Sequence, residues 1–200
     1  MTDPQLPIKP HKGLQLALRV MFVTGLLALA YVILQTFSVP KNNLERFAEG
    51  SLRKLVVMDN PPSQPRRKFK GPDGVDLDLS AFRGKTILLN VWATWCPPCV
   101  AEIPSLDQLQ NEHGGEKFEV VAISQDMQAV DVESFLKSKN IHHLQFYHDN
   151  TLGLASDVGV AGLPISIFYG KDGREIARIP GEVNWQSAEA GALLREILGR

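Results

Sequence analysis

Cysteine is almost missing from this chain. There are two among 200 residues, both inside one four-residue window, Cys96-Pro97-Pro98-Cys99. A small fold braced by several disulfides is therefore excluded, since such frameworks need four or more cysteines. A surplus of one charge is missing too: 21 lysines and arginines stand against 22 aspartates and glutamates, a net charge of −1. That balance supplies no long-range field to draw the protein to nucleic acid or another acidic polymer, so no nucleic-acid partner is expected. The one basic cluster, Arg66-Arg67-Lys68-Phe69-Lys70, follows a proline and reads as solvated linker. No internal repeat is present.

What the chain does have is a long uncharged run. Val20 to Pro40, VMFVTGLLALAYVILQTFSVP, holds 21 residues without a formal charge. A helix rising about 1.5 Å per residue would span roughly 30 Å over that length, the thickness of a bilayer's hydrocarbon core. Lys9, Lys12 and Arg19 precede the run with only Asp3 opposing them, whereas Lys41, Glu45, Arg46, Glu49, Arg53 and Lys54 mix signs beyond it. Positive flanks stay cytoplasmic, so residues 1–19 are expected inside, 20–40 as a transmembrane anchor, and the rest exported. Two other readings compete. Ala28-Leu29-Ala30 has the small-x-small form of a signal-peptide cleavage site, although Tyr31 to Phe37 carries the apolar run past it. A buried helix of a soluble domain would need the polar face that this run lacks.

Beyond the anchor, residues 41–68 are expected to form a juxtamembrane linker. Asn42 to Met58 has weak helical periodicity, and the proline-rich Asp59 to Lys68 reads as an extended spacer. Residues 69–200 are long enough to bury about two-thirds of the surface exposed by their unfolded chain. Within them, Phe69 to Leu79 reads as a hairpin turning at Gly71-Pro72-Asp73-Gly74, and Lys85 to Trp92 as a strand buried on both faces. Pro97 to His113 reads as a helix with proline in its first turn and Pro104 inside, followed by a strand at Phe118 to Asp126. Asp131 to Asn140 is helical with Val132, Phe135 and Leu136 on one face. A short strand at Leu144 to Asp149 and a short helix ending near Gly159 come next. Pro164 to Gly170 and Glu175 to Gly181 flank a hairpin turn at Lys171 to Arg174, and Trp185 to Leu198 closes the chain as an amphipathic helix. The order predicts an α/β fold, helices around a central mixed sheet.

The cysteine window admits three chemistries. A structural staple across four residues gains only about 2 kcal/mol by the chain-entropy argument, against roughly 3 for a 15-residue loop. Structural zinc needs four ligands, and one CxxC supplies two. His142, His143 and His148 lie close together in IHHLQFYH, but no spacing ties them to the cysteines, and a solvated loop outweighs a copper site. The redox reading has a positive argument. If Pro97 is the first helical residue, Cys96 is the N-cap, and its sulfur faces the unpaired amides and positive end of the helix. Pro98 also lacks an amide, so the Cys99 N–H is the expected donor. Lowering a thiol from about 8.5 to about 7 takes roughly 2 kcal/mol of selective thiolate stabilisation. Cys96 is then the exposed attacking sulfur, and Cys99, one turn in, resolves the mixed disulfide.

Trp92-Ala93-Thr94-Trp95-Cys96-Pro97-Pro98-Cys99 resembles the active site of thioredoxin-fold oxidoreductases, and Pro104 and GVAGLPISIFYGKDGRE fit that fold's helix and proline loop. With the anchor, LLNVWATWC and IPGEVNWQSAEA, the chain is most similar to TlpA-like membrane-anchored thiol:disulfide interchange proteins, related to the CcmG and ResA reductases of cytochrome c maturation. The resemblance covers about Phe69 to Arg200. It implies a thioredoxin-like fold over 69–200 and a reductase in which Cys96 attacks and Cys99 resolves. Trp95 and Pro97 would flank the sulfur, Pro164 would be a cis-proline facing the pair, and the Leu163 backbone would bond an extended client. Glu102, three residues after Cys99, matches a glutamate near the ResA-type site. It is a candidate catalytic proton shuttle or like-charge modulator, and equally an exposed helix glutamate. Thioredoxin's buried aspartate corresponds to Asn90, which cannot titrate. Trp92 and Phe168 read as core.

The resemblance further implies no metal and no cofactor besides the Cys96–Cys99 disulfide. Its partners would be disulfide-bearing clients, apocytochrome c or copper-site proteins of oxidase assembly, with a membrane thiol donor supplying electrons. The location would be a bacterial inner membrane with the domain in the periplasm. A dithiol oxidase, or a copper-delivery module using the thiols as ligands, are the competing functions.

Overall fold

α1, Lys12–Ser38, starts earlier than the expected span, because nothing between Lys12 and Arg19 interrupts helical backbone. The computed structural model describes residues 12–38, 43–145 and 147–199. Expectations for residues 1–11, 39–42, 146 and 200 lie outside the described residues. The chain divides into two units, Met1–Lys41 and Asn42–Arg200. From Gly13 to Ile33, α1 is long and apolar enough to cross a membrane. The residues of that stretch are exposed, with Met21 at 70% and Phe22 at 69%. The Thr24 hydroxyl turns back to the carbonyls of Val20 and Met21 at 2.9 and 3.0 Å, which satisfies it without water.

The second unit starts before residue 69, which corrects the expectation of a linker over 41–68. Short 3₁₀ turns at Asn43–Phe47 and Gly50–Leu52 replace the weakly periodic helix and bury Leu44 and Leu52 completely. β1, Val56–Val57, then joins the sheet, and the supposed spacer lies along a hairpin. Gln64 N–H donates to Gly173 O at 2.9 Å, and Glu175 N–H to Pro62 O at 2.9 Å. Proline-rich chain has few backbone donors, so it reads as solvated. Here the Pro62 carbonyl and the Gln64 amide are used by a neighbouring turn.

β2, Phe69–Lys70, and β3, Asp76–Leu77, form the expected hairpin, with Gly74 in the left-handed region at φ +76°. β4, Thr86–Trp92, is buried at all seven positions. α2, Pro97–His113, follows, then β5, Phe118–Ser124, and α3, Ala129–Ser138. β6, Tyr147–His148, and α4, Gly153–Asp157, lead to β7, Ile165–Tyr169, and β8, Glu175–Pro180. α5, Ala188–Leu198, closes the described chain. The sheet order is β1-β8-β7-β4-β5-β6-β2-β3, with two-residue strands at both borders. β4 pairs in parallel with β5, and β5 with β6; the other pairs are antiparallel. This is the α/β mixed sheet the residues foretold.

Alternation along β4 divides the core. Leu88 and Trp92 face α2 and α5, joining Ile103, Leu106, Leu193 and Ile197. Ile87, Leu89 and Val91 face the other way, with Phe69, Leu79, Tyr147 and Leu154. Trp92 and Phe168, read as core, are 2% and 0% exposed. Val132 is buried on the α3 face, with Phe135 and Leu136 packed against the first cluster. Asn90, a polar side chain only 1% exposed, rides on the α2 side of β4 among these apolar residues.

Candidate active site

The carboxyl ends of parallel strands in an α/β sheet open onto loops that tend to hold ligand sites. Here the end of β4 delivers Trp92 directly into the cysteine window. Cys96 caps α2 with extended backbone, φ −101° and ψ 103°, and Pro97 and Pro98 occupy the first turn. The Cys99 N–H, the first amide available there, donates to Cys96 Sγ at 3.3 Å. The two sulfurs are bonded at 2.04 Å, with Cα atoms 5.3 Å apart. Cys96 is 5% exposed and Cys99 1%, so the expectation of an openly exposed attacker holds only in rank. The cause is the tight turn, in which Cys96 N–H bonds Ala93 O at 3.2 Å and tucks the sulfur into the first core cluster. Trp95 and Pro97 are exposed beside it, Trp95 at 63%.

Antiparallel pairing of Val91 with Ile165 sets Pro164 level with the end of β4. The Leu163–Pro164 bond is cis, and Leu163 packs against the cluster that contains both cysteines. Pro164 O accepts from Gly181 N at 2.8 Å, while the backbone of Leu163 has no partner among the described residues.

One turn beyond Cys99, Glu102 is 1% exposed, which removes the reading of a solvated helix glutamate. Its Oε1 accepts from the Trp185 indole N–H at 2.5 Å and from Ser166 Oγ at 3.5 Å. Asn90 and Ser166 face each other across β4 and β7, and Asn90 Nδ2 donates to Ser166 Oγ at 3.0 Å. Burial pushes the Glu102 carboxyl up to about 8; the Trp185 and Asn90 side chains pull it back, and the charge of Glu182 adds to the rise. Glu102 Oε2 and Asn90 Oδ1 are both buried acceptors without a hydrogen-bond partner among the described residues. A proton on the carboxyl is the donor that such a corner lacks.

Several participants were not singled out from sequence. Trp185 was read only as part of the family segment and the start of the closing helix, yet its indole makes the shortest hydrogen bond to Glu102. Asp126, just past β5, is 3% exposed and grips Thr94 in the window: the Thr94 N–H lies 3.0 Å from Oδ2, and the Thr94 hydroxyl donates to Oδ1 at 2.5 Å. Met127, next in the chain, is 72% exposed. A signal for Asp126 was present, since a carboxylate ending an apolar strand demands partners. The histidines do not converge. His142 and His143 are exposed, whereas His148 is buried with Nε2 2.7 Å from Asp126 O. Among the described residues no group of three metal-ligating side chains forms.

Residues 61–194 match the Redoxin family. The chain belongs to the redoxin family. This redoxin is 31% identical over 141 residues to the thiol-disulfide oxidoreductase ResA of Bacillus thuringiensis subsp. konkukian, covering 70% of this chain and 81% of that one. It is 33% identical over 116 residues to the thiol:disulfide interchange protein DsbE of Vibrio cholerae, covering 56% and 61%. A solved structure of a putative DsbE from Chlorobium tepidum superposes with a TM-score of 0.63 at 24% identity, covering 71% of this redoxin and 99% of that chain, which speaks for the fold alone. With the family match and the relatives named thiol-disulfide oxidoreductases, this redoxin is a thiol:disulfide oxidoreductase of the thioredoxin superfamily, carrying a Cys96–Cys99 pair and acting on disulfides of protein clients.

Proposed function

We propose that this redoxin is a membrane-anchored disulfide reductase, held by α1 with its N-terminus in the cytoplasm and its redox domain in the periplasm of a bacterial inner membrane. The bare apolar surface of Gly13 to Ile33 supports the anchor, and Lys12 and Arg19 at its leading end support the orientation. The single observation that carries the redox assignment is Cys96 Sγ at a helix N-terminus, accepting the Cys99 amide one turn from the buried Glu102.

In the dithiol form, the Cys96 thiolate attacks one sulfur of a client disulfide. A Cys96–client bond forms and the client's other sulfur leaves as a thiolate. Cys99, deprotonated in turn, attacks Cys96 Sγ, closes the Cys96–Cys99 disulfide and releases the second client thiolate. Two electrons pass to the client. The ionised fraction of Glu102, a minority at neutral pH, accepts the Cys99 proton, because a carboxyl held near 8 is matched to an ordinary thiol near 8.5. Trp95 and Pro97 form the rim on which the client lies, and the unpartnered Leu163 backbone beside cis-Pro164 pairs with its extended chain. A membrane thiol donor returns the two electrons. The resemblance to the cytochrome c maturation reductases supports clients in c-type cytochrome or oxidase biogenesis.

Two measurements test this. A Cys99→Ser variant should accumulate mixed disulfides with its client on a non-reducing gel, and a cell extract with no such adduct would refute the resolving role. A reduction potential at or below about −270 mV supports a reductase, while one near −120 mV makes it an oxidase.

A further inference from the structure

The turn that carries Cys96 is tied to the end of β5 by one buried carboxylate. Asp126 accepts from the Thr94 N–H at 3.3 and 3.0 Å and from the Thr94 hydroxyl at 2.5 Å. The carboxylate is itself braced: Ser124 Oγ donates to Oδ2 at 2.6 Å, and the Asp126 N–H donates to Ser124 Oγ at 3.0 Å. His148 Nε2 is 2.7 Å from the Asp126 carbonyl, which secures the backbone from β6. Parallel pairing leads straight into this contact, since Trp92 is the partner of Ser124 and Gln125 N–H donates to Trp92 O at 2.8 Å. Thr94 and Asp126 are therefore the next step of the β4–β5 ladder, made by a side chain where backbone pairing ends.

We infer that Asp126 is a positioning residue of the redox site, acting through Thr94 to keep Cys96 on the helix cap once the disulfide is open. In the oxidised protein the bond to Cys99 itself holds Cys96 Sγ over the first turn. Reduction removes that restraint. What remains are the Cys99 N–H bond to Cys96 Sγ at 3.3 Å, the Cys96 N–H bond to Ala93 O at 3.2 Å, the Val100 N–H bond to Cys96 O at 3.1 Å, and the carboxylate grip on Thr94. Charge-assisted hydrogen bonds are the strongest of these. Loss of the grip thus weakens the dithiol form more than the disulfide form, and the equilibrium moves toward the disulfide.

The inference rests on Cys96 and Cys99 exchanging with an external disulfide, and the test separates the two ideas. The full chain in detergent is equilibrated with glutathione, the pair's disulfide plus two glutathione thiols giving its dithiol plus glutathione disulfide. Thr94→Val keeps the shape, the backbone bond and the Asp126 charge but deletes the hydroxyl donor. The dithiol-to-disulfide equilibrium constant should fall three- to tenfold, tenfold being about 30 mV. Asp126→Asn should move it the same way, the double variant should show no further fall, and Thr94→Ser should restore the original value. A merely structural Asp126 would lower the melting temperature of both redox forms equally and leave the constant unchanged; that result, or a rise in the constant, overturns the inference. If Asp126→Asn does not fold, Thr94→Val and Thr94→Ser decide alone. A wild-type pair that never equilibrates with glutathione overturns the redox assignment, and this inference with it.

Discussion

Glu102→Gln turns the most unusual ionisable group of the domain into a permanent imitation of its protonated form. Glutamine keeps an oxygen for the Trp185 indole, and its amide places a donor where Glu102 Oε2 has none to offer. In the unfolded chain the carboxyl titrates near 4.5, and in the fold near 8. Because the folded value is the higher, folding takes up a proton across that window. The associated stability is fully present below 4.5 and is lost as the pH rises through 8. One proton corresponds to about 1.4 kcal/mol per pH unit, so the wild type should lose on the order of 3 to 5 kcal/mol between mildly acidic and mildly alkaline solution. Glutamine carries no such slope. Denaturant titrations of oxidised wild type and Glu102→Gln, run from pH 5 to 8.5, should nearly coincide at the acid end. They should then separate steadily, with the variant several kcal/mol ahead at the top. Asp76, Asp78 and Asp157 are held below their ordinary range by hydrogen bonds to Lys70, Ser80 and Arg67, so they act at lower pH and leave this window clear. Parallel curves for the two proteins would refute the reasoning, since they would mean that burial does not hold a proton on Glu102.

Three further outcomes follow from the same geometry. Trp185→Phe keeps the ring edge against Phe168 but removes the N–H that lowers the Glu102 pKa, so the protonated-carboxyl infrared band should persist to higher pH than in wild type. Leu52→Ala should cost about 2 to 5 kcal/mol by equilibrium unfolding, where a solvated linker would cost almost nothing. In the reduced full chain, pH-dependent alkylation of Cys96 should show a midpoint below about 8.5, the ordinary thiol value, because its sulfur faces the Cys99 amide at the start of α2.

Local chemistry was legible and long-range pairing was not. Lys85 to Trp92 announced a doubly buried strand by its unbroken apolar run, and Pro97-Pro98 marked the start of α2 at the residue where it begins. Asp172-Gly173 marked the β7–β8 turn, where Gly173 takes φ +73°. Glu102 was different. The family resemblance pointed to it, three residues after Cys99, but its burial depends on Trp185, 83 residues away, and no local pattern reports such a partner. Residues 43–68 misled for a related reason. Their prolines and charges look like spacer, whereas Leu44 and Leu52 are buried in the core and Val56–Val57 pair with β8. Asp126 falls between the two cases: a carboxylate closing an apolar strand signals a need for partners, but its partner Thr94 lies 32 residues earlier in the chain.

The borders of the sheet carry a consequence for traffic in a crowded compartment. Val56–Val57 and Asp76–Leu77 are each only two residues long, and Asp76 is occupied by the Lys70 ammonium at 2.7 Å. A stranger's backbone finds no ledge there on which to zip up. An unfolded substrate polypeptide, rich in sticky extended segments, can thus be engaged at the sulfur end and let go without being stitched onto the flank of the oxidoreductase.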